Sequence, residues 1–336
     1  MNDMRNCQNP VIFFSSGIGD GVLALPALRA ICLGFEGKAT IVLTKGPDNF
    51  LFEGLAARRI ICLDMWPAKD GIGGEFDVEA AALNLRGCDL FLSFAQWQSS
   101  SLSRLEFEST GRSSPDAVVN VNLCEPSDRE KHQFDSVFAV GARIFPEFHI
   151  DQFSYPLEFS ADVQGAGQEI LRTLEGRTLI GFHPEGSLAV KSCPDELTQE
   201  AIHCLLELGD DVVAVVFGTD SKYSKLENLS TRVLAFNYLP LSLAAYLVSR
   251  MSFFVGVDSC FLHVADICRV PGVGLFGPTC WKDFGFRFAP CVHIQSTSVD
   301  GINGREVAAA IHSLRRTEGQ RNVRIASPEL ARPEPN

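Results

Sequence analysis

The chain has 336 residues, enough for two domains at roughly 150 residues each. Apolar residues make up 46% and charged residues 21%, a composition that excludes a disordered or collagen-like chain. The 29 Lys and Arg against 41 Asp and Glu give a net charge of -12. That balance argues against sequence-independent nucleic-acid binding, which rests on neutralising phosphates, and leaves room for at most peripheral contact with anionic membranes.

The predicted elements alternate between strand and helix from the start. Val11 to Phe14 reads as a buried strand that ends in the turn Ser15-Ser16-Gly17-Ile18-Gly19-Asp20-Gly21. A helix follows over Val22 to Leu33, where Pro26 is expected in the first turn because an interior proline removes a hydrogen bond. Further strands are predicted at Ala39–Leu43, Ile60–Leu63 and Leu90–Ser93. The pattern then restarts, after a join expected near Tyr155 to Glu169, where Pro156, Gly165 and Gly167 interrupt it. Thr178–Phe182 reads as a strand, Glu196–Leu208 as a helix, Val212–Phe217 as a strand and Leu241–Arg250 as a helix. Phe253–Val257 is a strand that leads into the helix Cys260–Cys268, with Asp258-Ser259 as its expected cap. Val273–Phe276 is the next strand, Arg305–Arg315 the last helix, and the polar segment from 317 to 336 reads as a flexible tail.

This order predicts an α/β chain of two halves, 1–160 and 170–316, each a parallel sheet covered by helices. No apolar run is long enough to read as a membrane span, and the stretch from Val11 to Leu33 carries Asp20 and Arg29, unlike a signal peptide. Eleven cysteines without metal-ligand spacing read as free thiols in a reducing cytoplasm, with no metal site expected.

In open parallel sheets, ligands sit beyond the carboxyl ends of the strands, and four turns there carry chemistry. In Gly17-Ile-Gly-Asp20-Gly21, Asp20 reads either as a helix cap or as a carboxylate able to take a proton from a hydroxyl. In His183-Pro-Glu-Gly-Ser187 through Lys191, backbone N–H groups, the Ser187 hydroxyl and the Lys191 ammonium suit a diphosphate, though a lysine exposed in a surface loop fits too. Asp258 and Ser259 mark a helix N-terminus, a natural anion site, and His263 lies one turn further, as a ligand contact or a core residue. Asp220, after Phe217-Gly-Thr, reads as a ribose-binding carboxylate or a solvated one. A nicotinamide-dinucleotide fold is a weaker alternative for the first turn. Its glycines half match the three-glycine pattern, and the second strand ends at Leu43-Thr44-Lys45 without the usual acidic residue.

Together these segments resemble glycosyltransferase family 9, the heptosyltransferase-like enzymes. The likeness is carried by Gly17-Ile-Gly-Asp20 with Leu25-Pro26 and Leu28-Arg29-Ala30-Ile31, by His183-Pro184 through Lys191 and Pro194, and by Leu243-Ala-Ala245 through Val255-Gly-Val-Asp-Ser259, His263, Val270-Pro271 and Leu275-Phe-Gly-Pro-Thr279. The resemblance implies a GT-B architecture: two Rossmann-like domains whose parallel sheets face a central cleft. It implies an inverting, metal-independent transfer of a sugar, most simply heptose, from an ADP-linked donor to a hydroxyl acceptor. That acceptor would be a glycan, a glycolipid such as lipopolysaccharide core, or a soluble natural-product scaffold. The donor is a co-substrate and no cofactor is implied. Asp20 would be the general base, Ser187 and Lys191 would hold the diphosphate and Asp220 the ribose. The backbone near Leu239 would meet adenine, and Asp258, Ser259 and His263 would grip the donor sugar and phosphates.

Three positions depart from the family. Cys193 stands where tryptophan is usual, Cys260 where glycine is usual, and Asp266 interrupts an alanine-rich helix. A side chain at 260 would narrow the donor's approach. These departures leave room for two alternatives, a family member that binds nucleotide sugars without catalysis and a GT-B transferase with a different donor sugar.

Overall fold

A computed structural model describes residues 4–46, 49–67, 74–95, 99–110, 118–120 and 131–325. In the first half, β1 (Pro10–Ser15) leads into α1 (Ile18–Gly34), followed by β2 (Thr40–Thr44) and β3 (Arg59–Leu63). A two-stranded antiparallel ribbon, β4 (Trp66–Pro67) with β5 (Gly74–Glu75), precedes α2 (Val78–Leu85), β6 (Leu90–Ala95), α3 (Ser100–Thr110), β7 (Val118–Asn120) and α4 (Gln133–Ile144). The second half holds α5 (Ala161–Arg172), β8 (Thr178–His183), α6 (Asp195–Leu206), β9 (Val212–Gly218), β10 (Val233–Asn237) and α7 (Leu241–Val248). It continues with β11 (Phe253–Val257), α8 (Cys260–Ile267), β12 (Gly272–Phe276), α9 (Trp281–Phe284), β13 (Cys291–Gln295) and α10 (Gly304–Ile325).

The first sheet has the order β3-β2-β1-β6-β7 and the second β10-β9-β8-β11-β12-β13, and all their strands are parallel. Each is a Rossmann order in which the winding reverses next to the first strand, between β1 and β6 and again between β8 and β11. Loops diverge at such a reversal and open a crevice at the carboxyl ends of the strands. The turns after β1, β8 and β11 therefore stand at the two crevices.

Strand alternation sets the cores. Ile12, Phe14, Ile41, Leu43, Leu92 and Phe94 face one apolar cluster, while Val11, Phe13, Val42 and Phe91 face another under α2 and α3. In the second sheet Leu179, Val213, Val215 and Phe217 join the first of these clusters, and Ile180, Phe182, Ala214 and Val216 pack under α6 and α10. One apolar cluster thus runs from the first sheet through α1 and α8 to the second. The helices that carry the candidate site are part of the contact between the halves.

Several expectations change. α1 starts at Ile18, four residues earlier than predicted, because the glycine turn is already its first turn. Pro26 therefore lies in the helix interior and not in its first turn. Its missing N–H costs one bond to the Val22 carbonyl; continuous burial from Gly21 to Cys32 holds the helix together across the gap. Gly165 and Gly167 do not interrupt the chain but lie within α5. The last helix runs to Ile325, past the predicted Arg315 and through the first residues of the expected tail, and 326–336 fall outside the described residues. Among the described residues ten cysteines are free, and no helix is long and apolar enough to cross a membrane.

Candidate active site

On the first half, the site starts where β1 runs into α1. The Asp20 carboxylate lies in the first turn of α1, and its Oδ2 accepts the Ser16 hydroxyl at 2.7 Å and the Gly17 N–H at 3.1 Å. It therefore does cap the turn, and the same residue lines the central cavity, so the two sequence readings are compatible. Gly19 lies directly against α8. A Cβ there would come 3.4 Å from His263 Cδ2 and 3.6 Å from the Cys260 Cα. That close approach sets the N-termini of α1 and α8 side by side.

On the second half, β8 ends at His183, whose Nδ1–H donates to the Phe217 carbonyl at 2.8 Å while the ring stands edge-on to Phe261. Burial pushes its pKa down, so the ring is neutral. The loop that follows is closed by Gly186 N–H to Ser192 Oγ at 3.0 Å and by Cys193 N–H to the Pro184 carbonyl at 2.8 Å. This closure carries Lys191 to the cavity, where its ammonium donates to Asp258 Oδ2 at 2.7 Å. The Asp258 side chain is only 8% exposed and that of Lys191 20%.

Asp258 was expected to cap α8 or to reach the donor sugar; one of its oxygens holds Lys191. Ser259 occupies the N-cap position, yet its hydroxyl makes no capping bond and is buried without a hydrogen-bond partner among the described residues. His263 Nε2 lies 3.9 Å from Asp258 Oδ1, and Nδ1 is also buried and has no hydrogen-bond partner among the described residues. Burial pushes His263 down to about 4, against the pull of Asp258, so its imidazole is neutral near pH 7. Two buried polar groups without partners, beside a helix N-terminus and an ammonium, suit an anionic ligand with further oxygens.

These elements enclose one cavity of about 1040 Å³. Asp20, Ser187, Lys191, Leu239, Asp258, Ser259 and His263 all line it, so seven of the eight residues expected from sequence meet there. Asp220 does not. One oxygen of its carboxylate accepts the Lys222 N–H at 2.8 Å and caps the short helical turn Ser221–Leu229, next to Thr219 of the cavity wall. A carboxylate one residue before such a turn is drawn to the nearest free N–H, which is the local reason for the difference.

The motif pattern does not single out Glu185 and Thr219, which take that part of the wall. It also omits the apolar side formed by Phe217, Phe236, Tyr238, Pro240 and Phe261. One signal for that side is conformational and invisible in sequence: Tyr238 has φ 58, and it is 70% exposed. Cys193 sits in the core under α6, 3% exposed, and does not line the cavity. Cys260 does line it, with its thiol pushed up to about 12 by burial and therefore protonated. Among the described residues no group of three or more His, Cys, Asp or Glu is arranged to hold a metal ion.

Two Rossmann-type parallel sheets with a nucleotide-sized cavity, lined from both halves, define the GT-B class of glycosyltransferase folds. The family model of glycosyltransferase family 9 (heptosyltransferase) matches residues 112–297, and the chain belongs to that family. The structure is similar to a glycosyltransferase family 9 protein from Veillonella parvula DSM 2008, with TM-score 0.73 and 16% identity over 92% of this chain and 97% of that one. It is also similar to the E. coli ADP-heptose LPS heptosyltransferase II (TM-score 0.68, 16% identity, 93% of this chain and 99% of that one). E. coli heptosyltransferase WaaC with ADP gives TM-score 0.65 and 15% identity, over 91% and 99%. At these identities the likeness is one of fold. No curated protein matches the chain.

Proposed function

We propose that this protein transfers a sugar, heptose, from an ADP-linked donor to a hydroxyl acceptor with inversion at the anomeric carbon. The observation that carries the reading is that Asp20 and Lys191, from opposite halves of the chain, line the same cavity. Direct displacement needs a proton acceptor on the nucleophile's side and positive charge on the leaving group's side. The acceptor oxygen attacks the anomeric carbon while its proton passes to the Asp20 carboxylate. The bond from that carbon to the diphosphate oxygen breaks, and ADP leaves with the electron pair. Lys191, the Ser187 and Ser259 hydroxyls and the N-terminal N–H groups of α8 take up the charge that develops, so no metal is needed for that role. Asp258 holds the Lys191 ammonium in place, and His263, being neutral, contributes hydrogen bonds to the donor.

The apolar wall around Leu239 suits a nucleobase, and the similar E. coli heptosyltransferase WaaC has been solved with ADP. The acceptor is a glycan, a glycolipid or a soluble scaffold met in the cytoplasm. With a net charge of -12 the chain has no overall attraction for an anionic glycolipid surface. A thermal-shift panel of ADP-, UDP- and GDP-linked sugars tests the donor. A ligand of the folded state raises the midpoint by mass action, so ADP-linked heptose is expected to give the largest rise. A rise with UDP- or GDP-linked sugars and none with ADP-linked ones contradicts the donor assignment.

A further inference from the structure

A chain of contacts leads from the helix of Asp20 to the donor side of the cavity. Asp20 stands in the first turn of α1, and α1 packs along α4. A Cβ at Gly141 of α4 would come 3.4 Å from Ile31 Cγ1 and 3.6 Å from the Ala27 carbonyl oxygen, and packing this close transmits displacement. The first turn of α4 then reaches into the second half, at the segment between α9 and β13. Phe134 N–H donates to His132 Nδ1 at 3.1 Å, which leaves the proton on Nε2, and Nε2–H donates to the Gly285 carbonyl at 2.8 Å. Asp135 takes Arg287 in a fork, Nε to Oδ2 at 2.9 Å and Nη2 to Oδ1 at 3.4 Å. Between these two ties the Phe134 ring meets Phe288 in a T-shaped contact, with centroids 4.8 Å apart. The gripped segment is bonded in turn to Asp266 of α8 through the N–H groups of Arg287, Phe288 and Ala289. It begins directly after Phe284, which lines the cavity, and α8 carries Ser259 at its N-cap and His263 one turn in.

We infer that His132 and Asp135 are positioning residues: their clamp on Gly285 and Arg287 holds the donor wall, with Ser259, His263 and Phe284, at a fixed place relative to Asp20. The inference rests on the transfer reading above, since it assigns the clamp to a step that needs both halves. Ser187, Lys191 and Ser259 all belong to the second half, so nucleotide binding does not need the clamp. Displacement does, because the acceptor hydroxyl that Asp20 activates must meet the anomeric carbon in line with the departing diphosphate. A misplacement of about 1 Å in such a geometry costs about a hundredfold in rate. The forked ion pair fixes the angle between α4 and the segment, which the non-directional apolar contact between the halves does not.

The test compares the full natural chain with H132A, H132Q, H132N and D135N, reading kcat and KM for ADP release from ADP-heptose and ADP affinity by calorimetry. Glutamine places an amide N–H where Nε2–H stands and keeps the bond to Gly285. Asparagine places its oxygen where Nδ1 stands and keeps only the cap on Phe134. H132A, H132N and D135N are expected to lower kcat by about tenfold or more while KM and ADP affinity stay within about threefold, and H132Q to recover most of the rate. Rescue by H132N and not by H132Q would mean that His132 only caps α4, and overturns the inference. So do variants whose rate is unchanged, or whose ADP affinity falls as far as their rate. If the natural protein acts on a UDP- or GDP-linked sugar in place of ADP-heptose, the adenine assignment fails and the same comparison with that donor decides the clamp. If it acts on none of them, the transfer reading fails and small-angle X-ray scattering decides the clamp by itself. A larger radius of gyration in H132A/D135N than in the natural protein then supports it, and an identical one overturns it.

Discussion

Among the described residues that line the cavity, Lys191 is the one ammonium or guanidinium group, and it shares the walls with the carboxylates of Asp20, Glu185 and Asp258. Its hold on Asp258 has two consequences of different kinds. Replacing Lys191 by Met leaves a nearly buried carboxylate without its counter-charge, which costs about 3 kcal/mol for a pair this close to solvent. It also removes the charge available to a diphosphate, so donor affinity is expected to fall at least tenfold. The double variant K191M/D258N separates the two: denaturant unfolding should recover most of the stability, and calorimetry should show the affinity still lost. Recovery of both would mean that Lys191 serves only the fold. At this scale the sequence was informative wherever a residue sits in a turn at a strand end, as Asp20, Lys191 and Ser259 do. It was uninformative where two acidic residues compete. Glu185 and Asp220 both follow strands, and only local contacts, the Thr219 donors for one and the Lys222 N–H for the other, go with which one lines the cavity.

The elements most legible in the sequence are the buried central strands β1, β2, β6, β8, β9, β11 and β12, whose apolar runs are flanked by glycine or polar turns. β10 and β13 are edge strands of the second sheet and half-buried; β13 has the mixed sequence Cys291-Val-His-Ile-Gln295, while β10 does carry a short apolar run, Val233-Leu-Ala-Phe236, that the pattern of predicted strands leaves out. α3 is rich in serine and charge and buries Leu102 and Leu105 on one narrow side, too little for periodicity to stand out. Glycine misleads in α5, where Gly167 reads as a break. A Cβ at that position would lie 2.2 Å from Tyr246 Cδ1, so the glycine is there to let α5 approach α7. Gly167→Ala gains about 1 kcal/mol of helix propensity but must displace a buried ring, at about 1–3 kcal/mol. The net expectation is a lower midpoint in thermal unfolding, and an unchanged or higher one contradicts this packing. Asp266 is explained at the same scale. It is fully buried in α8 and accepts the N–H groups of Arg287, Phe288 and Ala289 at 2.8 Å each, tying the segment before β13 to the helix. Asp266→Leu orphans three buried or half-buried donors and is expected to destabilise by several kcal/mol in denaturant unfolding.

Across the whole molecule, two arginines hold the connection between the halves. Arg29 of α1 donates to the carbonyls of Phe153, Tyr155 and Pro156, and Arg269, just beyond α8, donates to the Ser154 carbonyl and hydroxyl. α4 adds a further tie, since Asp135 receives Arg287 at 2.9 Å and the preceding His132 donates to the Gly285 carbonyl. α1, with Asp20 in its first turn, and α8, with His263 one turn in, are thus anchored to the same linker. Four imidazoles, His132, His183, His263 and His293, are pushed below the usual 6.5 by burial, the last two to about 4. Between those values and 6.5 the unfolded chain binds more protons than the native one. Their stabilisation is therefore complete above about pH 6.5 and is lost as pH falls towards 4. Asp266, pushed up to about 6 by burial, acts in the opposite direction, one group against four. The thermal midpoint is expected to drop steadily from pH 7 to pH 4.5, and a flat or rising profile contradicts the buried neutral histidines. The central claim is that a carboxylate from one half and an ammonium from the other act on a single activated sugar. It is tested most directly by measuring release of ADP from ADP-heptose, with water or added hydroxyl compounds as acceptor, alongside donor affinity in the natural protein and in D20N. The account predicts that D20N keeps its affinity within about threefold while ADP release falls at least a hundredfold. Release by D20N at the natural rate would contradict it.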